Sequence, residues 1–182
     1  NVQEAKFHKV LQPISHVVLE KKHAKEVAFA PFFTHILMHE LMHGIGPHSI
    51  TLDGKESTPR AALKELHSAI EEAKADITGL WAMQYLMDKG VIDASMQTSM
   101  YTTYLASAFR SVRFGINEAH GKGIALQFNY LMDEGAIQAD EKTGKFEVVV
   151  AKIRPAVTKL TGELLTLEAE GSYAKADALL KK

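Results

Sequence analysis

The stretch from Thr34 to Pro47, Thr-His-Ile-Leu-Met-His-Glu-Leu-Met-His-Gly-Ile-Gly-Pro, constrains this chain more than any other. It contains His39-Glu40-Leu41-Met42-His43, the pattern H-E-x-x-H. Residues four apart on an α-helix lie one above the other on one face, so both imidazoles can reach a single ion. Glu40 points about 100° further round the helix. From there its carboxylate is badly placed to be a third ligand but well placed to reach a water beside the ion. That is the arrangement of a catalytic zinc site with its general base.

The surrounding residues define the helix. Pro31 suits a first helical position, and Gly44, Gly46 and Pro47 end the run after His43. Phe32, Phe33, Ile36, Leu37, Met38, Leu41 and Met42 make it apolar almost all round, so it is expected to be central and buried. Histidines and a glutamate on such a helix are expensive to bury without a partner, which argues for a metal. The chain has no cysteine, so any metal must be held by histidines and carboxylates.

The rest of the chain reads as mainly α. Phe7 to Glu20 is an amphipathic stretch interrupted by Pro13, and Lys21 to Glu26 is a charged connector. His48 to Ser57 reads as a polar loop. Thr58-Pro59 then opens a long helix to about Lys89, closed by Gly90. Asp93 or Ser95 caps a third helix to Phe114, and Asn117 opens a fourth that runs past His120 to Glu134. Ile137 to Val150 predicts a small β-hairpin around Lys142-Thr143-Gly144, followed by a helix from Lys152 to about Glu170 and a short one after Ser172. The fold class expected is a multi-helix catalytic lobe with one small β-hairpin, spanning residues 1–182.

Composition narrows the partners. With 182 residues, 46% of them hydrophobic, the chain can bury one good core, either as a domain or as one lobe of something larger. Lys plus Arg (21) nearly balances Asp plus Glu (22), with no basic run, which argues against nucleic acid and anionic membrane as partners. The apolar run Val27 to Phe33 is too short to span a bilayer. Asn1 to Val10 lacks signal-peptide character and the first residue is not Met, so a processed form or an excised piece is expected, with a cytoplasmic setting.

The third zinc ligand must come from elsewhere, usually a Glu or His. Glu71-Glu72-Ala73-Lys74-Ala75-Asp76 lies on the long helix, near its apolar stripe. Glu72 and Asp76, four apart, share a face. One of these carboxylates can ligate while others accept the free ring N–H of the ligand histidines. Spacing does not choose between Glu71 and Glu72. The competing reading is a solvated acidic face, since Glu65 and Lys74 continue the charge pattern. His35, one turn before His39, is expected to be a hydrogen-bonded core histidine. His48 belongs to the loop after the motif, and His8, His16, His23 and His67 are expected to be surface or structural residues.

His39-Glu40-Leu41-Met42-His43-Gly44 followed by Glu71-Glu72-Ala73-Lys74-Ala75-Asp76 resembles the paired zinc motifs of the dipeptidyl peptidase III family of metallopeptidases, most closely its bacterial branch, some members of which carry Nudix-hydrolase names. The resemblance implies that Zn2+ is held by His39, His43 and Glu72, with Glu71 and Asp76 supporting the histidines. A third family element, an Ala-His pair opening a downstream helix, matches Ala119-His120. It implies that His120 stabilises the transition state. The chain departs from the family in two places. Eukaryotic members carry an extra residue, H-E-x-x-G-H, where this chain has ordinary spacing. The Arg that follows the family's histidine has no clear counterpart; Lys122 is a weak substitute. Family members are also much longer, with a second lobe forming the other cleft wall.

The expected chemistry is therefore hydrolysis of a peptide substrate with Glu40 as general base, releasing dipeptides from the N-terminus. Another glutamate-zinc aminopeptidase, a non-catalytic zinc-binding helical domain, and a structural protein without metal are the competing readings.

Overall fold

The computed structural model of the chain describes residues 1–181. The fold is mainly α, with two small two-stranded antiparallel sheets. In order the helices are α1 (Val2–Lys6), α2 (Gln12–Val18), α3 (Lys21–Ala24), α4 (Phe29–Met42), α5 (Pro59–Leu63), α6 (His67–Asp88), α7 (Gln97–Val112), α8 (Ala119–Asp133), α9 (Val150–Glu170) and α10 (Tyr173–Leu180). Strands β1 (Ile50–Leu52) and β2 (Lys55–Ser57) pair with each other, as do β3 (Ile137–Ala139) and β4 (Phe146–Val148).

The expected hairpin is β3–β4, in which Ile137 faces Val148 and Ala139 faces Phe146. Its turn is tied by the Asp140 carboxylate, which accepts the N–H groups of Lys142 (2.9 Å) and Thr143 (2.7 Å). The other hairpin occupies the stretch expected to be a polar loop. Its turn is Asp53-Gly54, both with positive φ (50° and 76°), the dipeptide that two-residue hairpins favour.

Three helical expectations need correction. The N-terminal run does not break at Pro13. It widens into a π turn at Phe7–Leu11, where Gln12 N–H reaches the Phe7 carbonyl, and Pro13 then sits in the first turn of α2. The Lys21–Glu26 connector contains α3. The long helix from Thr58 is not continuous. Thr58 caps it as expected, its Oγ1 accepting from Ala61 N–H at 3.1 Å, but the chain turns at Lys64 (φ 53°, ψ −128°). That turn takes α5 off the axis of α6, so that Leu63 is fully buried and α5 lies against α9 and α10.

The central element is α6, not the motif helix. α6 packs against α4, α8 and α9 and buries Ile70, Ile77, Leu80, Met83 and even Lys74. The motif helix α4 buries only Pro31 and Phe32. Phe33, Leu37, Leu41 and Ile45 form a ridge on its outer side, each close to half exposed. An all-round apolar helix needs cover on both faces; α4 packs against α6 and α7, and the described residues leave its outer ridge about half exposed. Among the described residues no helix is long and apolar enough to cross a membrane.

Candidate metal centre

Two glycines let three helices close together. A Cβ on Gly79 of α6 would lie 3.2 Å from the backbone nitrogen of His39 on α4. A Cβ on Gly123 of α8 would lie 3.0 Å from Ala69 O and 3.3 Å from Glu72 Cβ on α6. Without these side chains α4 and α8 lie directly on α6, and the acidic segment Glu71–Asp76 is held between His39 and His43 on one side and His120 on the other.

The rings of the motif histidines are oriented by carboxylates. His39 Nδ1 donates to Asp76 Oδ1 at 2.7 Å, and His43 Nδ1 donates to Glu71 Oε1 at 2.8 Å. Carboxylate acceptors place the proton on Nδ1, which leaves a lone pair on each Nε2. Those two Nε2 atoms are 3.1 Å apart, facing each other. Glu72 Oε2 is buried and lies 3.4 Å from His39 Nε2. Two lone pairs and a carboxylate oxygen at these distances repel one another unless a positive charge lies among them. Zinc bonds of about 2.0–2.1 Å in a tetrahedron set ligand atoms about 3.3 Å apart. The donor types fit the ion, and the His39–His43 and His39–Glu72 separations fit its spacing, while the three donor atoms that all lie within 4.8 Å of one another are those of His39, Glu72 and His120.

His120 stands closer than expected. Its Nε2 is 3.0 Å from the same Glu72 oxygen, and His39, Glu72 and His120 each offer a donor atom within 4.8 Å of the others. It is thus brought to the metal group itself. Yet its side chain is 70% exposed, whereas both motif histidines are anchored on carboxylates. Glu40 is exposed and lines a cavity of about 310 Å³ together with His39, Asp76 and His120. His35 Nε2 donates to the Asp76 carbonyl at 2.9 Å, where α4 crosses α6. It is a hydrogen-bonded histidine, as expected.

Ionisation follows the same geometry. Burial pushes Asp76 upward, but the hydrogen bond from His39, the nearby imidazoles and the Gln127 amide hold it below the usual carboxylate range. Burial pushes His39 down, and the hydrogen bond and charge of Asp76 more than reverse it. Glu71 is likewise raised by burial but brought below its ordinary value by hydrogen bonds from Lys74 and His43.

The sequence reading missed several supporting residues. Lys74, which the competing reading placed on a solvated face, is 2% exposed. Its ammonium donates to the Ile45 carbonyl (2.6 Å) and to Glu71 Oε1 (2.8 Å), with Glu168 Oε2 at 4.0 Å. Lys74 therefore ties the turn after His43 to the carboxylate that orients His43. His67, Glu71 and Glu168 also bring three donor atoms together, but there Lys74 supplies the positive charge. On the other side, Gln127 Nε2 donates to Asp76 Oδ2 (3.1 Å), while Tyr104 OH donates to Gln127 Oε1 (2.8 Å). The spacing His120–Gly123–Gln127, one face of α8, was the available signal for Gln127. Nothing in the local sequence marks Lys74 as buried.

No family model matches the chain. Over its whole length it is similar to the solved structure of dipeptidyl-peptidase III from Corallococcus sp. strain EGB, with 59% identity and a TM-score of 0.97. It is also similar to that of DPP III from Caldithrix abyssi, with 44% identity and a TM-score of 0.98. In both cases it covers 34% of the solved chain. Among curated proteins it is 52% identical over 183 residues to Nudix hydrolase 3 of Arabidopsis thaliana, of which it covers 24%. The chain thus spans about a third of the solved relatives and about a quarter of the curated one.

Proposed function

We propose that this chain is the zinc-binding helical lobe of a metallopeptidase that releases dipeptides from peptide N-termini. The observation that carries this reading is the approach of His43 Nε2 (3.1 Å) and the buried Glu72 Oε2 (3.4 Å) to His39 Nε2, with both Nδ1 protons committed to carboxylates. His39, His43 and Glu72 would hold the ion, and Asp76 and Glu71, accepting from each Nδ1, would keep the imidazoles aimed with Nε2 toward it. Zinc bound there supplies Lewis acidity, lowering the pKa of water at the site and polarising a peptide carbonyl.

The chain's own residues do the rest. Glu40, exposed at the cavity beside His39, takes a proton from the attacking water and delivers it to the leaving amine. His120, held beside Glu72, donates to the oxygen on which charge develops, a contact worth about 3 kcal/mol in comparable sites. The similarity to two structures named dipeptidyl-peptidase III supports the substrate class. The curated relative bears a Nudix name, and about three quarters of its length lies outside the match.

The bare ridge of Phe33, Leu37, Leu41 and Ile45 supports a second lobe in the full-length protein, covering the outer side of α4 and completing the cleft. Zinc analysis with peptide product analysis tests the reading. Glu40→Gln is expected to keep one zinc per chain and lose hydrolysis of full-length protein. Normal turnover by that variant would refute the assigned base, and release of single amino acids in place of dipeptides would favour an aminopeptidase.

A further inference from the structure

Gln127, on α8, is a neutral amide with no exposure to water. An interior position of that kind ordinarily takes an apolar side chain, because a buried amide is unfavourable unless its polar groups are paired. Here they are paired in full. Nε2 directs one hydrogen at Asp76 Oδ2 (3.1 Å) and the other at the Gly123 carbonyl (3.0 Å), and Oε1 accepts from Tyr104 OH (2.8 Å). Tyr104, on α7, is buried, and burial raises its hydroxyl well above the ordinary phenol range, so it remains a donor.

These partners fix which way the amide points. Turned over, its oxygen would face two acceptors, the Asp76 carboxylate and the Gly123 carbonyl. One side chain therefore ties α6, α7 and α8 together in a single arrangement.

The elements it ties carry two arms of the site. Asp76 gives Oδ1 to His39 Nδ1 at 2.7 Å and Oδ2 to Gln127, so the carboxylate that aims His39 is held from both sides. His120 lies two turns before Gln127, on the same face of α8. Its ring stacks near that of His39, with centroids 6.3 Å apart. Yet His120 sits in the first turn of α8, where Glu118 supplies no side-chain cap. Two polar contacts join α8 to α6: His120 with Glu72 at the exposed end, and Gln127 with Asp76 inside the core.

We propose that Gln127 is a positioning residue that couples these arms: its amide keeps Asp76, and through Asp76 the His39 imidazole, in register with the helix that carries His120. This rests on the zinc peptidase reading and deepens it by naming the group that sets the metal-binding imidazole against the one that meets developing charge. Tyr104 acts one step further out, by choosing the orientation of the amide.

The test uses the full-length protein with Gln127→Met, which removes the amide at similar volume, Tyr104→Phe, which frees its orientation, and His120→Ala. Zinc affinity is measured against a competing chelator, and the visible absorption of the Co2+-substituted protein reports ligand geometry. Gln127→Met is expected to weaken zinc about 10-fold, the lower end for an outer partner of a metal-binding histidine, and to shift the Co2+ bands. With zinc saturating, it should lower kcat about 10-fold at nearly unchanged KM. Tyr104→Phe should shift the same bands, with losses of about threefold. In the double variant with His120→Ala the two kcat losses should fall well short of multiplying, because the amide acts partly through His120.

Wild-type zinc affinity or unshifted Co2+ bands in Gln127→Met would overturn the proposal, as would kcat losses that multiply in full; each leaves the zinc peptidase reading standing. If Gln127→Met loses its far-ultraviolet helix signal, the same measurements on Tyr104→Phe decide by the same criteria. A wild type that binds no zinc, or cleaves no peptide, would refute the proposed function and this coupling with it.

Discussion

Replacing Lys74 with Met tests whether the metal group is held from behind. The change removes the donor to Ile45 O at 2.6 Å and to Glu71 Oε1 at 2.8 Å, and leaves Glu71 and Glu168 facing each other without a counter-charge. Removing one partner of a buried pair costs about 3–5 kcal/mol. Glu71 is 22% exposed and keeps its bond from His43, and Met returns apolar packing, so the lower end, about 3 kcal/mol, is expected. For a chain of this size that is a fall in Tm of about 6–12 °C. The effect should grow as pH rises through about 7 and Glu168 ionises beside Glu71. Loss of a partner that orients a metal-binding histidine also lowers metal affinity by about 10–100-fold. Thermal unfolding from pH 5 to 8 and zinc titration against a competing chelator measure both effects. A variant with wild-type Tm and wild-type zinc affinity would refute the role given to Lys74.

Two further outcomes follow from the same packing. Burial pushes Glu168 up to about 7, with Lys74 opposing and Glu71 adding to the rise. An acid whose folded pKa lies above its unfolded value loses stability as pH climbs from about 4.5 through 7, by up to about 3 kcal/mol. Glu168→Gln should therefore match the wild type near pH 5 and be the more stable protein at pH 8; equal pH slopes in urea unfolding would contradict this. Gly123→Ala places a methyl 3.0 Å from Ala69 O and 3.1 Å from Ala73 N, forcing α8 outward. It should destabilise by about 1–3 kcal/mol and reduce peptide turnover while zinc is retained; wild-type turnover would show that the position of His120 is immaterial.

Local features were legible wherever the physics is local. The four-residue spacing of His39 and His43, the Thr58-Pro59 cap, the Asp93 cap and the β3–β4 turn all rest on neighbours in sequence, and each is present. Asp53-Gly54 was an equally local hairpin signal, left unread. The errors arose where distant packing decides. α4 reads as buried because it is apolar all round, yet the described residues leave Phe33, Leu37, Leu41 and Ile45 about half exposed. Nothing near Lys74 in sequence announces its burial, which the turn at Ile45 and the carboxylates of Glu71 and Glu168 make tolerable. The break at Lys64 carries no glycine or proline to announce it. Within the site, Glu71, Glu72 and Asp76 could be listed from sequence, but which histidine each one meets depends on how α4 lies across α6 at Gly79.

Zinc content of the purified protein and its single variants bears most directly on the proposed centre. One zinc per chain is expected for the wild type and for Glu40→Gln, weakened binding for Glu71→Ala, and none for Glu72→Ala. A wild type free of zinc after reconstitution would contradict the proposed centre. So would a Glu72→Ala protein that keeps its metal while Glu71→Ala loses it.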